Sequence, residues 1–275
     1  MVVIALLASS GVARGAITFV GTTFTNANGK QVTSLDLTEP PGTVAGDLML
    51  TIVSVQDNGE FNTITPPAGW TLLREDSAGT GCPSACSDGL HQAIYWRIAT
   101  DATTTTYTWN FSLKERTDAG IVVYRGVDPS NPFEATSGVG TFGTGTVTAP
   151  SVTTASTGSR LIGFFSVQYG NAGFDISGTG MTVLTDAGGN PYNPLSTGGS
   201  TAGVTQAVAD QTLAAAGATG DRVATVVGGK AAWGIGQLVL LKGLGLDHFE
   251  IEAVGGGLIA QQNAGQSFNI RIRAV

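Results

Sequence analysis

Hydrophobic and polar residues alternate along most of this chain with the two-residue period of β-strands, not the 3.6-residue period of helices. The run Asp47 to Gln56 (DLMLTIVSVQ) is the strongest. Leu48, Leu50, Ile52 and Ser54 fall on one face, and Met49, Thr51, Val53 and Val55 on the other. Both faces are largely apolar, so this strand is expected to be covered on both sides. Gln31 to Leu37 alternates Val32, Ser34 and Asp36 against Thr33, Leu35 and Leu37. Further strands are predicted over 16–22, 70–75, 89–99, 104–112, 120–124, 146–154, 159–168, 181–185, 203–212, 222–227 and 231–242. Only Val204 to Ala216 competes as a helix, because its Ala-rich end has good helix propensity. Gly217 and Gly220 follow at once, so its first part is predicted as a strand. About a dozen short strands without a clear amphipathic helix imply an all-β protein of packed antiparallel sheets.

Turn chemistry separates these runs. Pro40-Pro41-Gly42, Pro66-Pro67-Ala68-Gly69 and Asp128-Pro129-Ser130-Asn131-Pro132 each fix the backbone and end a strand. Thr185 to Gly203 (TDAGGNPYNPLSTGGSTAG) is a long polar loop, the kind of place where sandwiches bind ligands. After Lys242 the texture changes. Residues 243–245 read as a linker, and 246–275 hold two alternating runs, Leu246 to Val254 and Ser267 to Val275. Two strands cannot bury a core alone.

Composition narrows the class. Only 12% of the 275 residues are charged, and 40 are Gly. No apolar run reaches the roughly 20 residues of a membrane-spanning helix. The 42% hydrophobic content is enough to build a core, which disfavours disorder. A net charge of −7, with the basic residues scattered, argues against nucleic-acid binding. Residues 1–15 are similar to the apolar core and small-residue cleavage region of a secretory signal, although the basic segment that opens such signals is missing. In an exported chain, Cys82 and Cys86 read as a small disulfide across a loop tip. A zinc site would need further ligands, and the only histidines are His91 and His248.

Several motifs recur in a telling order. Pro40-Pro41-Gly42-Thr43-Val44-Ala45-Gly46-Asp47 leads into the strongest strand, followed by Thr65-Pro66-Pro67-Ala68-Gly69-Trp70-Thr71-Leu72. Then come Tyr95-Trp96-Arg97-Ile98-Ala99, Tyr107-Thr108-Trp109, Tyr124-Arg125-Gly126-Val127-Asp128, Ala149-Pro150-Ser151-Val152 and Ala214-Ala215-Ala216-Gly217. Over residues 17–242 the series resembles the N-terminal β-sandwich module of bacterial secreted surface proteins related to the mannose-sensitive haemagglutinin pilus biogenesis protein Q. Similar modules occur in phage tail proteins and long adhesins. The resemblance implies an antiparallel, jelly-roll-like two-sheet sandwich over 16–242, extracellular and without catalytic residues. The Cys82–Cys86 loop departs from the pattern. The segment 246–275 resembles the first strands of an adhesin-type immunoglobulin-like domain.

No constellation of residues makes a convincing active site. Asp47, Asp57, Glu60, Glu75 and Asp76 lie in turns or strand ends with no motif to pair them as glycosidase carboxylates. No Gly-x-Ser-x-Gly elbow accompanies a histidine, and His91 sits among Leu90, Ala93 and Ile94 as a structural residue would. Asp57, Asn58 and Glu60 cluster oxygen donors in one turn, a candidate calcium site that lacks the spacing of a known calcium loop. Trp70, Trp96, Trp109 and Trp233 fall within strand patterns and are expected in the core. Tyr192, between Asn190 and Asn193 in the long loop, is a candidate platform for a sugar, although the same residues form ordinary turns.

The expected function is that of a non-catalytic surface module in a larger adhesin, pilus-associated or tail-like protein, with another surface protein or a glycan as partner. The alternative is a carbohydrate-binding, lectin-like module, calcium-assisted or not. The run Ser267 to Val275 could also complete a neighbour's sheet by strand addition.

Overall fold

The computed structural model describes residues 16–27, 30–57, 62–79, 89–103, 105–143, 145–169, 172–189, 191, 203–228, 232–244, 249–254 and 270–274. Strands form where the alternation predicts them, and no α-helix occurs among the described residues. The first half contributes β1 (Thr18–Asn26), β2 (Val32–Thr38), β3 (Leu48–Asp57) and β4 (Ile64–Thr65). It continues with β5 (Thr71–Ala78), β6 (Gly89–Ile98), β7 (Thr106–Glu115) and β8 (Thr117–Arg125). These form a five-stranded sheet, β1-β8-β3-β6-β5, and a three-stranded sheet, β2-β7-β4. All pairs are antiparallel.

The second half contributes β9 (Phe133–Gly143), β10 (Thr146–Ala149), β11 (Thr153–Thr154), β12 (Arg160–Val167) and β13 (Gly173–Asp175). It continues with β14 (Thr182–Val183), β15 (Thr205–Thr212), β16 (Gly217–Ala218), β17 (Arg222–Val227) and β18 (Ala232–Leu241). Val204 to Ala216 is therefore a strand at its start, as its trailing glycines predict. The sheets are β9-β18-β12-β15-β14 and β10-β17-β13, with a small β11-β16 pair beside them.

Apart from β11 and β16, the second half repeats the first strand for strand. In each, the first strand pairs with the eighth and the third with the sixth, and the second pairs with the seventh. This nested pairing is the jelly-roll order. The expected antiparallel sandwich is present, and it occurs twice.

Register fixes the equivalence residue by residue. Ser54 stands opposite Gln92 in the first half, and Ser166 opposite Gln206 in the second. Around these pairs the sequences echo each other: Ser54-Val55-Gln56 with Ser166-Val167-Gln168, and Gln92-Ala93 with Gln206-Ala207. Gly69 and Gly180, both at positive φ, precede the equivalent edge strands β5 and β14.

The four sheets stack as layers. Leu37, Tyr107, Trp109 and Phe111 of the first small sheet pack on Met49, Val53, Tyr95 and Ile121. The opposite face of the same large sheet, with Leu48, Leu50, Ile52, Ile94 and Val122, meets Ile162, Phe164, Val208, Val239 and Leu241 of the second. Beyond that, Leu161, Phe165, Ala207 and Leu238 pack on Val147, Phe174 and Ala224 of the second small sheet. The two large sheets are thus interior layers, which explains why every residue of β3 is buried and why its sequence is apolar on both faces. Equivalent faces of the two sandwiches meet, with β6 packed on β18 and β15 on β8. This is the self-complementary arrangement of a two-fold pair.

Trp70 and Trp109 are buried as expected, while Trp96 and Trp233 are half-buried at the margins of the core. After Leu244, β19 (Phe249–Ala253) and β20 (Ile270–Ala274) pair with each other as an antiparallel two-stranded sheet. No helix among the described residues is long and apolar enough to cross a membrane.

Candidate functional site

Of the groups weighed for catalysis, Asp47, Glu75, Asp76 and His91 are held by structural partners. Asp47 accepts two hydrogen bonds from Arg125, at 2.8 and 2.7 Å, and one from the Val44 amide. Asp76 is bound by Arg74 and by Gln237. Glu75 lies against Nε2 of His91, whose Nδ1 is 3.1 Å from the carbonyl oxygen of Asn62. His91 is fully buried, and burial pushes its pKa below the ordinary value even with Glu75 beside it.

Asp57, the described member of the candidate calcium turn, ends β3 with its carboxylate buried. Oδ1 accepts from the Asn62 amide at 3.3 Å, and Oδ2 has no partner among the described residues. Desolvation raises its pKa to about 7, with nearby Glu115 adding to the rise. Asn58 and Glu60 lie outside the described residues, as do Cys82, Cys86, Asn190, Tyr192 and Asn193. Among the described residues, no group of three or more His, Cys, Asp or Glu is placed to hold a metal ion.

Among the described residues, a groove lies along one of the two seams where the large sheets meet. On the first seam, β9 packs on β5 and Trp96 meets Phe133 edge to face, with ring centroids 5.5 Å apart at 81°. Those residues have exact register equivalents on the other seam. Trp96 stands opposite Leu50 and Thr71, while Asp210 stands opposite Ile162 and Thr182. Phe133 pairs with Leu241, and Phe19 with Tyr124. A carboxylate therefore occupies the place of the indole, and the second seam stays open.

The opening is a groove of about 440 Å³, lined by Phe19, Val183 and Leu184 together with Arg160, Asp210, Gln211, Thr182 and Thr212. A smaller hollow of about 230 Å³ shares Phe19 and Thr185 with it. At the floor, Asp210 Oδ2 accepts from the Tyr124 hydroxyl at 2.7 Å and from Arg160 Nε at 2.8 Å and Nη2 at 2.5 Å. Arg160 Nη1 also donates to Thr212. Tyr124 belongs to the first sandwich and Asp210 to the second, so the contact joins them. Burial pushes the Tyr124 hydroxyl well above its ordinary pKa, and the Asp210 carboxylate adds to this.

No family model matches the chain, and neither a curated protein nor a solved structure matches it.

The groove adjoins the loop that the sequence nominated for binding. Thr185 and Asp186, at the start of that loop, line the smaller hollow, and Pro191 bridges to Thr185. Sequence reasoning passed over Arg160 and Asp210 because each sits inside a strand, and their meeting depends on the register of β12 against β15. Phe19 carries no local sign of its role, since its neighbour in the groove comes from the other half of the chain.

Proposed function

We propose that this chain is a non-catalytic structural and adhesion module of a larger exported bacterial surface protein, pilus-associated or tail-like. The observation that carries this reading is the four-layer stack. Two sandwiches share one interior and present a single extended body, as a spacer or display element requires. Asp47, Glu75, Asp76 and His91, which could have served catalysis, are engaged by neighbouring side chains and backbone. The ordered motifs that resemble a bacterial surface module, and the signal-like N-terminus, agree with this reading.

The test is retention of beads coated with the full chain on protein-coated and glycan-coated surfaces, run beside turnover assays with glycosidase, esterase and protease substrates. Retention without turnover is the expected result. Absence of retention on every surface would overturn the adhesion role, and turnover abolished by substitution of a described residue would overturn the non-catalytic one. A second reading, a carbohydrate-binding module, is favoured by the open seam, where an aromatic wall faces fixed polar groups.

A further inference from the structure

We propose that the open seam is a binding site for a neutral pyranose residue of a glycan, an inference that rests on the carbohydrate-binding reading above. The argument begins from the comparison the molecule makes with itself. At one seam an indole seals the gap against Phe133; at the other, Asp210 takes its place and a groove remains opposite Phe19. Its volume falls in the range of about 300–1,000 Å³ typical of small-ligand sites.

Asp210 is only 3% exposed, a costly position for a carboxylate unless it is firmly held. All three hydrogen bonds from Tyr124 and Arg160 converge on Oδ2. Oδ1 takes part in none of them, so the residue that lines the groove keeps an acceptor for a ligand hydroxyl. Arg160 is held by hydrogen bonds to Asp210 and Thr212 and sets donor groups beside that acceptor. Gln211 and Thr182 add an amide and a hydroxyl at the rim.

The opposite wall is the half-buried ring of Phe19, braced by Tyr124 with centroids 5.7 Å apart. A pyranose has the matching two-sided chemistry: an apolar C–H face for the ring, and hydroxyls that both donate and accept for the polar side. Arg160 and Asp210 neutralise each other, so the floor offers no net charge to hold an ion. The chain's net charge of −7 further disfavours acidic sugars.

The experiment is a glycan array probed with the full chain, followed by titration of the hits with two variants. Arg160→Leu/Asp210→Trp copies the sealed seam, where Leu48 and Trp96 occupy the equivalent places. Phe19→Ala removes the apolar wall and leaves the Arg160–Asp210 pair intact. Neutral glycans are expected to bind, with binding abolished by the double variant and weakened roughly tenfold by Phe19→Ala. Should the double variant fail to fold, as judged by its melting curve, the folded Phe19→Ala protein decides alone. Glycan binding left unchanged by the folded variants would overturn the groove site while leaving the carbohydrate reading in place. Failure of the wild-type chain to bind any glycan would overturn both.

Discussion

Gln92 on β6 donates its side-chain amide to Oε1 of Gln237 on β18 at 2.6 Å, a hydrogen bond that crosses from one sandwich to the other. It sits within a buried polar belt beside the apolar interface. Ser54 and Ser166 both donate to Gln92 Oε1, and Gln237 passes its own amide to Asp76. Such a belt favours one alignment of the two sheets, because any slip leaves buried amides without partners.

Gln92→Ala is therefore expected to cost about 2–3 kcal/mol, the penalty of stranding buried polar groups. A double-mutant cycle with Gln237→Ala should show coupling of about 0.5–3 kcal/mol. Denaturant unfolding of the four proteins gives both numbers, and strict additivity would mean that the pair does not join the halves.

Phe164 is fully buried in the cluster shared by the two large sheets. Its truncation to Ala should destabilise the chain by about 3–5 kcal/mol. Because the cluster belongs to both sandwiches, unfolding followed by tryptophan fluorescence and by circular dichroism should remain one coincident transition. Two separated transitions in the wild-type protein would show that each half stands on its own.

Strand β9 depends on glycine at one point above all. A Cβ on Gly140 would run into the carbonyl oxygen of Ser77 and lie 2.8 Å from the Ala78 Cβ. Gly140→Ala should thus cost about 1–3 kcal/mol by forcing β9 away from β5. Gly143→Ala is the control, since its nearest neighbour would be the Thr146 carbonyl oxygen at 3.8 Å. Equal losses in melting temperature for both variants would contradict the close packing of this seam.

The same crowding explains where the sequence is hard to read. The alternation of β3, β6, β12 and β18 is plain, and their apolar double faces announce covered strands. Phe133 to Gly143 (FEATSGVGTFG) instead has the composition of a loop, yet it is the eleven-residue strand β9. Gly138 and Gly140 reflect contact with β5 and not a turn. The duplication is equally hidden, because Trp70 matches Met181 and Trp96 matches Asp210 across the two halves. Only short echoes such as Ser-Val-Gln survive. The Asp210 site follows from pairing between segments some fifty residues apart, which no local pattern encodes.

Asp57 gives the fold a pH dependence. Its pKa rises from the ordinary 3.8 to about 7 because burial disfavours the charge. The folded state holds this proton more tightly than the unfolded chain, so the contribution is full below about 4 and is lost as pH rises through about 7. Asp57→Asn retains the acceptor for Asn62 without the charge. Relative to wild type, the variant should gain about 5–10 °C in melting temperature between pH 5 and pH 8. Parallel pH profiles for the two proteins would place the titration elsewhere. Burial raises the pKa of Asp118, which lies between the large sheets, well above its ordinary value as well.

The strand-for-strand repetition has a consequence for how the two seams can differ. Had a single sandwich paired with a second copy of itself, every substitution would appear at both seams together, and a carboxylate in place of Trp96 would open each of them. Carrying both copies on one polypeptide frees each seam to vary alone. One can remain sealed by Trp96 and Phe133 and hold the stack together, while its counterpart at Asp210 gives up packing for an opening to solvent.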